Sequence, residues 1–403
     1  MKPIDIAIAG CGPAGLASAL LLHRDGHRVT VFERFDTPRP IGSGLMIQPT
    51  GLAVLRELGL ERELTAHGAP IARLFGQAVG SGRTVLDVRY AHLGRQAGEG
   101  WGLHRAALFA ILHDAAVAEG IPIRTGRAMT GVEPGEGGRR RLVFEGGGTE
   151  GPFDLVVDAL GTRTPLAPPA GRDLAYGALW TSLDWPEGAG FDAAALEQRY
   201  RAASVMAGVL PMGTAPYDPV PKAALFWSLR ADRLEAWRAR GLTAWKDEAL
   251  GVWPALGPLL DQIDDPGQMI FARYAHRTLK RPGEPGMIHV GDAWHSASPQ
   301  LGQGANMALL DAWALAAALR AEDEVADAIA HAVRLRRWHV TLYQAMTDLF
   351  TPVYQSDSRI LPVLRDRLAG PLSRLWPATG VLAALVSGLI GGPLGRLGLR
   401  RVS

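Results

Sequence analysis

The stretch "IDIAIAGCGPAGLASALLLHRDGHRVTVFER", residues 4–34, decides the fold. Its first seven residues form a short apolar run that ends at a glycine, which is typical of a buried parallel strand. A run of small and branched apolar residues then extends from Pro13 to Gly26 and predicts a helix, and "RVTVFER" predicts a second strand. A strand–helix–strand unit of this kind builds a parallel sheet with a right-handed crossover.

The turn between the first strand and the helix, "GCGPAG", matches G-x-G-x-x-G at Gly10, Gly12 and Gly15. The first glycine allows a tight turn, the second lets a pyrophosphate approach the backbone, and the third allows close helix packing. Glu33 ends the second strand about 20 residues later, where a carboxylate binds the hydroxyls of an adenosine ribose. The alternative is a glycine-rich turn with a surface glutamate, and the complete context favours dinucleotide binding.

A second glycine cluster, "GDAWHSASPQLGQGANMAL" at residues 291–309, follows the apolar strand "MIHV" and leads into an apolar helix. The glycines leave the start of this helix accessible. Its free N–H groups and dipole suit a flavin ring, which stores negative charge when it is reduced. The second cluster therefore indicates a second part of a flavin site.

The composition limits the class of protein. A chain of 403 residues is expected to form two lobes or more. Its net charge of +2 predicts no nucleic-acid partner. The single cysteine, Cys11, excludes a disulfide framework or cysteine metal site within one chain, and no metal is expected. Because the N-terminus lacks the long apolar region of a signal peptide, a cytoplasmic location is expected.

The middle and the end of the chain differ from the N-terminal unit. Residues 175–280 contain short alternating runs such as "ALFWSLR" and six tryptophans that are expected to be core, and they predict a mixed β lobe. Residues 375–395 carry no charge and are long enough to span a bilayer, but five glycines and two prolines interrupt them. We expect a docked C-terminal helix over the second lobe, with peripheral membrane contact through 375–395 as the alternative.

The stretch "GDAWHSASPQLGQGANMALLDA" resembles the second flavin motif of the FAD-dependent aromatic hydroxylases, the para-hydroxybenzoate hydroxylase-like monooxygenases. The N-terminal "GCGPAG…VFER" and the intervening "GLHRAAL" are similar to the same family. The resemblance implies an α/β fold with a Rossmann-like FAD-binding domain, a mixed β-sheet substrate lobe and C-terminal helices. The corresponding boundaries are 1–174 with 281–330, then 175–280, then 331–403.

The resemblance also implies roles for individual residues. Those at the first motif would bind the FAD pyrophosphate and adenosine: Gly10, Gly12, Pro13, Ala14 and Gly15 for the pyrophosphate, Glu33 for the ribose with Arg34 beside it, and Met129 for the adenine through its main chain. Arg105 would reach the phosphates or ribityl chain, although its residue pattern alone fits a solvated arginine equally well. Asp292 would accept from the ribityl hydroxyls.

The rest of the second motif would surround the flavin ring. Pro299 would lie against its reactive edge. His295 is the candidate catalyst, but a loop-shaping role is favoured because a lone histidine is a weak indication of a base. The backbone cradle under the pyrimidine ring would comprise Gly302, Gln303, Gly304, Ala305 and Asn306.

One position departs from the family pattern. The family has an Asp-Gly pair after its returning strand, whereas "DLVVDALGTRTP" has Leu160 at that place and Asp158 two residues earlier. The family associates the pair with the FAD ribose and with transient NAD(P)H contact. If Asp158 or another group has taken over the polar role, flavin reduction is normal. We favour a second account, in which reduction is slow or depends on bound substrate, because Asp158 lies two residues upstream.

The function that the resemblance implies is an FAD-dependent monooxygenase with NAD(P)H as co-substrate and non-covalent FAD. It would hydroxylate or epoxidise an aromatic or lipophilic small molecule through a flavin hydroperoxide. A reductase or dehydrogenase on the same fold is the alternative. A halogenase is less favoured because "WTSLDWP" lacks the W-x-W-x-I-P pattern. A flavoprotein without turnover is a further class.

Overall fold

The structure is a computed structural model that describes residues 1–37, 44–94, 98–216 and 218–400. Its strands are β1 (Asp5–Ala9), β2 (Arg28–Phe32), β3 (Gly44–Ile47), β4 (Ala69–Ile71), β5 (Arg73–Ala78), β6 (Thr84–Arg89), β7 (Gly100–His104), β8 (Ile123–Arg124), β9 (Met129–Pro134), β10 (Arg140–Phe144), β11 (Thr149–Phe153), β12 (Leu155–Asp158), β13 (Arg172–Asp173), β14 (Tyr176–Asp184), β15 (Ala195–Arg201), β16 (Val205–Ala215), β17 (Asp218–Arg230), β18 (Ile270–Ala272), β19 (Ala275–His276), β20 (Gly283–Glu284) and β21 (Met287–His289). Its α-helices are α1 (Pro13–Arg24), α2 (Pro49–Glu57), α3 (Glu61–His67), α4 (Arg105–Ala118), α5 (Leu234–Arg240), α6 (Leu242–Val252), α7 (Gly257–Leu260), α8 (Asp292–His295), α9 (Gly304–Ala321), α10 (Val325–Tyr354), α11 (Leu361–Leu364), α12 (Gly370–Leu372), α13 (Ala378–Val386) and α14 (Pro393–Arg396).

The first two strands lie in a six-stranded sheet of order β20-β21-β12-β1-β2-β8. All neighbouring pairs are parallel except the edge pair of β20 with β21. The carboxyl ends of these parallel strands therefore share one edge, where ligands of open α/β sheets bind. The predicted α/β class and the strand–helix–strand unit are confirmed.

Helix α1 shows why the sheet and its helices pack so closely. Its small residues bring its backbone near the sheet and near α9, its main helical neighbour. Nine consecutive residues of α1, from Ala14 to Leu22, are buried. The helix ends at Arg24, two residues before Gly26, whose φ of +88° suits glycine and turns the chain back into β2.

A second, seven-stranded sheet has the order β18-β14-β17-β16-β15-β5-β6. Four of the six tryptophans are buried with α5, α6 and α7 on one of its faces, so the predicted β lobe is a packed core there. Strands β5 and β6 come from outside residues 175–280. They join the sheet because β5 pairs in parallel with β15, a long-range contact that local alternation does not reveal.

The C-terminal region is helical, with the 30-residue α10 followed by shorter helices. In the tail, α13 packs against β6 and covers apolar residues of the seven-stranded sheet, as expected of a docked helix. Within the ranges that the structure describes, no helix has both the length and the apolar character needed to cross a membrane. Residues 401–403 of the predicted third region lie outside these ranges.

Candidate functional site

The glycine turn after β1 has three distinct environments. Gly10 has a φ of +103°, and a Cβ there would lie 2.7 Å from the carbonyl oxygen of Ala159. A Cβ on Gly15 would lie 2.0 Å from the carbonyl oxygen of Gly10, so only glycine lets α1 approach the turn this closely. A Cβ on Gly12 would meet nothing within 4 Å. Gly12 therefore leaves open space in front of the helix start, where an anion can approach the backbone N–H groups.

The side chain of Glu33 reaches this turn from the end of β2. Its Oε2 accepts from the backbone N–H of Cys11 at 2.9 Å, and its Oε1 accepts from the N–H of Phe35 at 3.1 Å. The carboxylate is thereby held beside the glycine turn. Arg34 is exposed beside it, with its guanidinium 4.6 Å from the ring centre of Phe35. Met129, at the start of β9, is buried in the cluster that contains Phe32 at the end of β2.

The two glycine motifs are in direct contact. Gly291 follows β21 with a φ of +57°, and a Cβ there would lie 3.2 Å from Cβ of Ala14 and 3.1 Å from Cβ of Ala308. It is thus inserted between α1 and α9, the two helices that the motifs begin. The close approach places both helix starts at the same edge of the six-stranded sheet. A single extended ligand can span both motifs.

The second motif and the seven-stranded sheet line opposite parts of a cavity of about 440 Å³, within the range of small-molecule sites. The wall on the seven-stranded sheet is mostly apolar and includes Trp180, Leu210 and Phe226. The indole N–H of Trp180 donates to the hydroxyl of Tyr274 at 2.9 Å, so this polar atom is satisfied. The predicted residues on the cavity wall are Arg105, Asp292, His295, Pro299, Gly302, Gln303, Gly304 and Ala305.

Asp292 and Arg105 give this wall a polar region. The Asp292 side chain is open to the cavity but enclosed by protein. Desolvation raises the pKa of its carboxyl, while His295 and Arg105 act in the opposite direction. Arg105 is the first residue of α4 and is exposed towards the cavity. Asp292 thus offers a hydrogen-bond acceptor from α8, and Arg105 offers a cation from α4.

His295 belongs to a buried ionic network. Its Nε2 lies 2.5 Å from Oδ2 of Asp311, which also accepts from the backbone N–H of Gly291 at 2.9 Å. Nε of Arg336 donates to Oδ1 of Asp311 at 2.7 Å. Burial alone would raise the pKa of Asp311, but His295 and Arg336 outweigh it and lower the pKa to about 2. Because Asp311 holds both His295 and Gly291, the geometry favours a loop-shaping role for the histidine.

Asn306 and Gln48 join the second motif to the β3–α2 connection. Asn306 is fully buried, accepts from the N–H of Gln48 at 2.7 Å, and donates to the carbonyls of Met46 and Gly302 at 3.0 Å each. Its side chain is thus used to hold the loop. Gln48 accepts from the hydroxyl of Tyr90, while its Nε2 has no hydrogen-bond partner among the residues that the structure describes.

Sequence reasoning missed Gln48. It is fully buried, lies on the cavity wall, and its orphan Nε2 lies 3.7 Å from the position a Cβ on Gly302 would take. An unpartnered buried amide is costly unless a ligand accepts from it. The available signal was a polar side chain between the apolar strand β3 and Pro49 at the start of α2, a position where it makes no helix cap.

The tail closes the cavity from the C-terminal side. The last carbonyls of a helix lack partners within it. At the end of α13, side chains of other elements donate hydrogen bonds to these carbonyls. Tyr343 donates to the carbonyl of Leu385 at 2.8 Å, and Gln303 donates to that of Val386 at 2.5 Å. Thr50 donates to the carbonyl of Ser387 at 3.3 Å, and His339 donates to that of Gly388 at 3.0 Å. Leu382, Leu385 and Val386 then line the cavity. Gln303 of the second motif is therefore tied directly to the tail.

Leu160 lies at the same sheet edge but offers no polar group from its side chain, which packs against the buried cluster that contains Phe32 and Met129. Asp158 is fully buried, and its carboxylate accepts from the N–H of Leu160 at 3.0 Å and the hydroxyl of Thr164 at 2.7 Å. Nδ1 of His289 lies 2.6 Å from the same carboxylate. These partners keep Asp158 inside the loop, so it supplies no free carboxylate in place of the family aspartate.

These features fit FAD. Open space at Gly12 suits a pyrophosphate, Glu33 beside it suits a ribose, and the orphan amide of Gln48 faces the loop at Gly302. The sequence comparisons agree with this fit. Residues 3–171 match the sequence model of the family described as "FAD binding domain".

Two relatives are similar over most of the chain. The 6-methylpretetramide 4-monooxygenase of Streptomyces rimosus is 28% identical over an alignment of 410 residues with its gaps counted. The alignment covers 95% of this chain and 92% of that protein. The 3-amino-4-hydroxybenzoate 2-monooxygenase of Streptomyces cremeus is 26% identical over 343 residues, 79% of each chain.

Solved structures share the fold. The tetrameric form of 2-methyl-3-hydroxypyridine-5-carboxylic acid oxygenase superposes with a TM-score of 0.79 at 19% identity, covering 100% of this chain and 99% of the other. Klebsiella pneumoniae HpxO complexed with FAD and uric acid gives a TM-score of 0.77 at 20% identity, covering 96% and 98%.

The fold and the family match together define an FAD-binding flavoprotein. The chain is similar over most of its length to FAD-dependent monooxygenases, and its residues 3–171 match an FAD binding domain. It is an FAD-dependent oxidoreductase of the monooxygenase type, and the family typically uses NAD(P)H as co-substrate.

Replacing Glu33 by alanine is expected to weaken FAD binding by about 1–3 kcal/mol, the cost of removing one partner of a charged hydrogen bond. Titration of the apoprotein with FAD measures the change. The exposed Glu136, far along the chain in the β9–β10 turn, provides a matched Glu→Ala control. An unchanged dissociation constant for Glu33→Ala would remove this residue from the ribose site.

Proposed function

We propose that this monooxygenase inserts one oxygen atom of O2 into an aromatic or lipophilic small molecule held in the cavity that the seven-stranded sheet and the second flavin motif line. The observation that carries the proposal is the continuity of the cavity wall. The same wall contains the second flavin motif and the apolar side chains of the seven-stranded sheet. A substrate on the apolar part would thus lie next to the flavin ring.

The relatives support a small aromatic substrate. Their names specify aminohydroxybenzoate and methylpretetramide monooxygenases, and HpxO is complexed with uric acid. These names make the reductase or dehydrogenase alternative less favourable. In this chain, the aromatic side chains of Trp180, Phe226 and Phe350 line the cavity and would contact the rings of the substrate.

We assign the two motifs to two parts of FAD. The residues of the first motif would hold the pyrophosphate and adenosine: Gly10, Gly12, Pro13, Ala14, Gly15, Glu33, Arg34 and Met129. Arg105 and Asp292 would hold the phosphates and ribityl chain. Pro299 and the segment 302–306 would surround the flavin ring.

Bound FAD supplies two-electron transfer from NAD(P)H and the activation of O2. The chain itself positions the substrate and excludes water. The backbone N–H groups at the start of α9 would stabilise negative charge on the ring, because they lie at the positive end of the helix dipole. The tail supplies the remaining apolar wall through Leu382 and Leu385 and keeps solvent out of this side.

FAD is proposed to be non-covalent, so acid precipitation should release the colour into the supernatant.

Reduction by NAD(P)H is proposed to be slow without substrate, because neither Leu160 nor the enclosed Asp158 offers a carboxylate to the reductant. Within the tail, peripheral membrane contact is proposed for the exposed side chains. In 375–395 these include Leu375, Trp376 and Val381, whereas Leu385 and Val386 are buried.

Oxygen uptake tests the reaction. The holoenzyme is mixed with NADH or NADPH in air and with a panel of hydroxybenzoates, hydroxypyridines, polycyclic phenols and lipophilic quinols. At least one compound is expected to stimulate uptake and to appear as a product 16 mass units heavier when the reaction is run under unlabelled O2, and 18 under ¹⁸O2 (the isotopic masses of the inserted atom). Reduction of the flavin without incorporation of oxygen into any compound would favour the reductase alternative.

A further inference from the structure

A helical segment after α10 carries an apolar surface on its outer side. It runs through α11, a π-helical turn and α12, residues 361–372. Ile360, Leu364, Leu368 and Leu372 are exposed by 70%, 47%, 56% and 59%, and their four-residue spacing places them on one side of the helix. We call these four side chains, with the exposed Val363, Leu375 and Trp376, the apolar stripe.

The opposite side of this segment fixes its orientation. The buried Arg365 donates to the backbone carbonyls of Val353 and Ala202 at 3.2 and 3.1 Å. A Cβ on Gly370 would lie 2.5 Å from the carbonyl oxygen of Thr84 in β6, so the backbones are in close contact there. Rotation of the helix to bury its leucines would break these contacts. The apolar stripe is therefore held outwards by the fold.

Such a surface is unusual for a soluble chain. Single exposed apolar side chains are ordinary, whereas a cluster along one helix marks a surface that meets an apolar phase or partner. Trp376 is 89% exposed, the most among the large apolar side chains of the described residues. Tryptophan is the side chain that membrane–water interfaces favour, because its ring is apolar and its N–H is polar.

The charges around the apolar stripe have one sign. Arg359, Arg367 and Arg374 are exposed along the same segment. Asp366 is the one acidic residue between 358 and 381 in the sequence, and its carboxylate accepts from Nε of Arg365 at 2.7 Å. The exposed cations are therefore not balanced locally. Anionic phosphate groups complement them.

We infer that residues 360–376 dock this protein on an anionic lipid surface. The apolar stripe enters the boundary between headgroups and acyl chains, and the three arginines contact lipid phosphates. A symmetric second copy suits the surface less well, because an isologous contact would bring like-charged arginines together. The inference goes beyond the proposed function and does not depend on which substrate is oxidised.

Docking at this place would bring the lipid close to the cavity. The chain continues from Trp376 directly into α13, whose Leu382, Leu385 and Val386 line the cavity. Phe350 and Tyr354, at the end of α10 on the other flank of the segment, line it too. Both ends of the docked segment thus lead to cavity walls, which suits a substrate that partitions into the lipid.

Vesicle flotation of the full-length holoprotein tests the inference. The vesicles are phosphatidylcholine alone or phosphatidylcholine with 30% phosphatidylglycerol (a chosen composition). Two variants are compared: L364Q/L368Q/L372Q/W376Q removes apolar side chains, and R359Q/R367Q/R374Q removes charge. The matched control is V117Q/L250Q, which changes exposed apolar side chains elsewhere. FAD content and thermal midpoint verify that each variant is folded.

The wild type and control should float with the anionic vesicles, and less with neutral ones. The arginine variant should lose roughly 100-fold in partition coefficient at low salt, from about 1 kcal/mol for each basic residue near the surface. The partition coefficient of the apolar variant should fall by at least about tenfold, and this decrease should be the same at every salt concentration.

Three results would overturn the inference: no flotation of the wild type at low salt, equal flotation of the apolar variant and wild type, or equal binding to neutral and anionic vesicles. If the apolar variant dissociates an oligomer of the wild type while flotation is unchanged, the surface is a contact between copies instead.

Discussion

Substitution of Gly12 by aspartate is expected to abolish stoichiometric FAD binding without unfolding the protein. A Cβ at this position meets nothing within 4 Å, so a short side chain can begin there without a clash. Gly12 is the N-cap of α1 and provides no side-chain cap. Aspartate is a favourable N-cap, because its carboxylate accepts from the free N–H groups of the first turn. The apoprotein should therefore be as stable as the wild type or slightly more stable.

The same carboxylate removes what the pyrophosphate requires. It occupies the N–H donors at the helix start and places a negative charge where the phosphates would lie. Loss of charge-assisted hydrogen bonds of about 1.5–3 kcal/mol each predicts a decrease in FAD affinity of roughly 100-fold or more. Titration of apoprotein with FAD and the thermal midpoint of the apoprotein give the two quantities.

Two further glycine variants are controls. Gly12→Ala adds bulk but no charge and should weaken FAD binding less than Gly12→Asp. Gly15→Ala should instead destabilise the apoprotein, because its Cβ would lie 2.0 Å from the carbonyl oxygen of Gly10. Wild-type affinity in Gly12→Asp would show that no phosphate approaches this turn, and the assignment of the first motif would be wrong.

The contrast between Gly12 and Gly15 shows what a local motif can predict. Both roles follow from the spacing in "GCGPAG" and from the elements on either side, because a strand, a turn and a helix are determined within 20 or so residues of chain. The sheet edge follows too, since parallel strands bring their carboxyl ends together. Local patterns therefore predicted the α/β class and the position of the first motif.

Long-range pairing was not accessible in this way. Strand β5 pairs with β15 over more than a hundred residues of chain, and neither strand contains a signal for its partner. Gln48 is relevant because Asn306, far away in sequence, fixes its backbone and because no group in the described ranges accepts from its Nε2. Such a residue is apparent only when all potential partners have been placed around it.

The tail combines both cases. Its lack of charge predicted burial against apolar residues, and α13 does cover the seven-stranded sheet. The tail also closes the cavity, and this depends on the four side chains that donate to the carbonyls at the end of α13. These four side chains come from three separate parts of the chain, so the local sequence does not reveal them. One of the four is His339, whose pKa is lowered by burial, and we therefore expect closure of the cavity to depend on pH.

Acid is expected to destabilise this protein well above the pKa values of its carboxyl groups. Burial lowers the pKa of His339 to about 3, and the neighbouring Arg336 acts in the same direction. Arg336 donates to Nδ1 of His339 at 2.8 Å, so the proton of the neutral ring is on Nε2, which donates to the carbonyl of Gly388. Protonation of Nδ1 would place a second cation against the buried guanidinium.

The sign of the effect follows from the two states. The pKa of His339 in the folded state lies below its ordinary value of 6.5, so the unfolded chain binds more protons between these limits. Stability from His339 is complete above about pH 6.5 and is lost as pH falls towards 3, at about 1.4 kcal/mol for each pH unit. From pH 7 to pH 4.5 the loss is about 3 kcal/mol. For a chain of this length that corresponds to about 3–4 °C in the thermal midpoint.

The variant His339→Gln separates this contribution from those of other groups. Glutamine can accept from Arg336 and donate to the carbonyl of Gly388, but it does not titrate. Its thermal midpoint should fall by about 3–4 °C less than that of the wild type between pH 7 and pH 4.5. His92→Gln, at an exposed histidine, is the control and should behave as the wild type. Equal acid shifts in all three proteins would show that His339 is not the group that acid protonates.

His339 donates to the carbonyl of Gly388, next to the residues that line the cavity. Protonation of His339 should therefore release the tail before the sheets unfold, and FAD fluorescence recorded in parallel would report that opening.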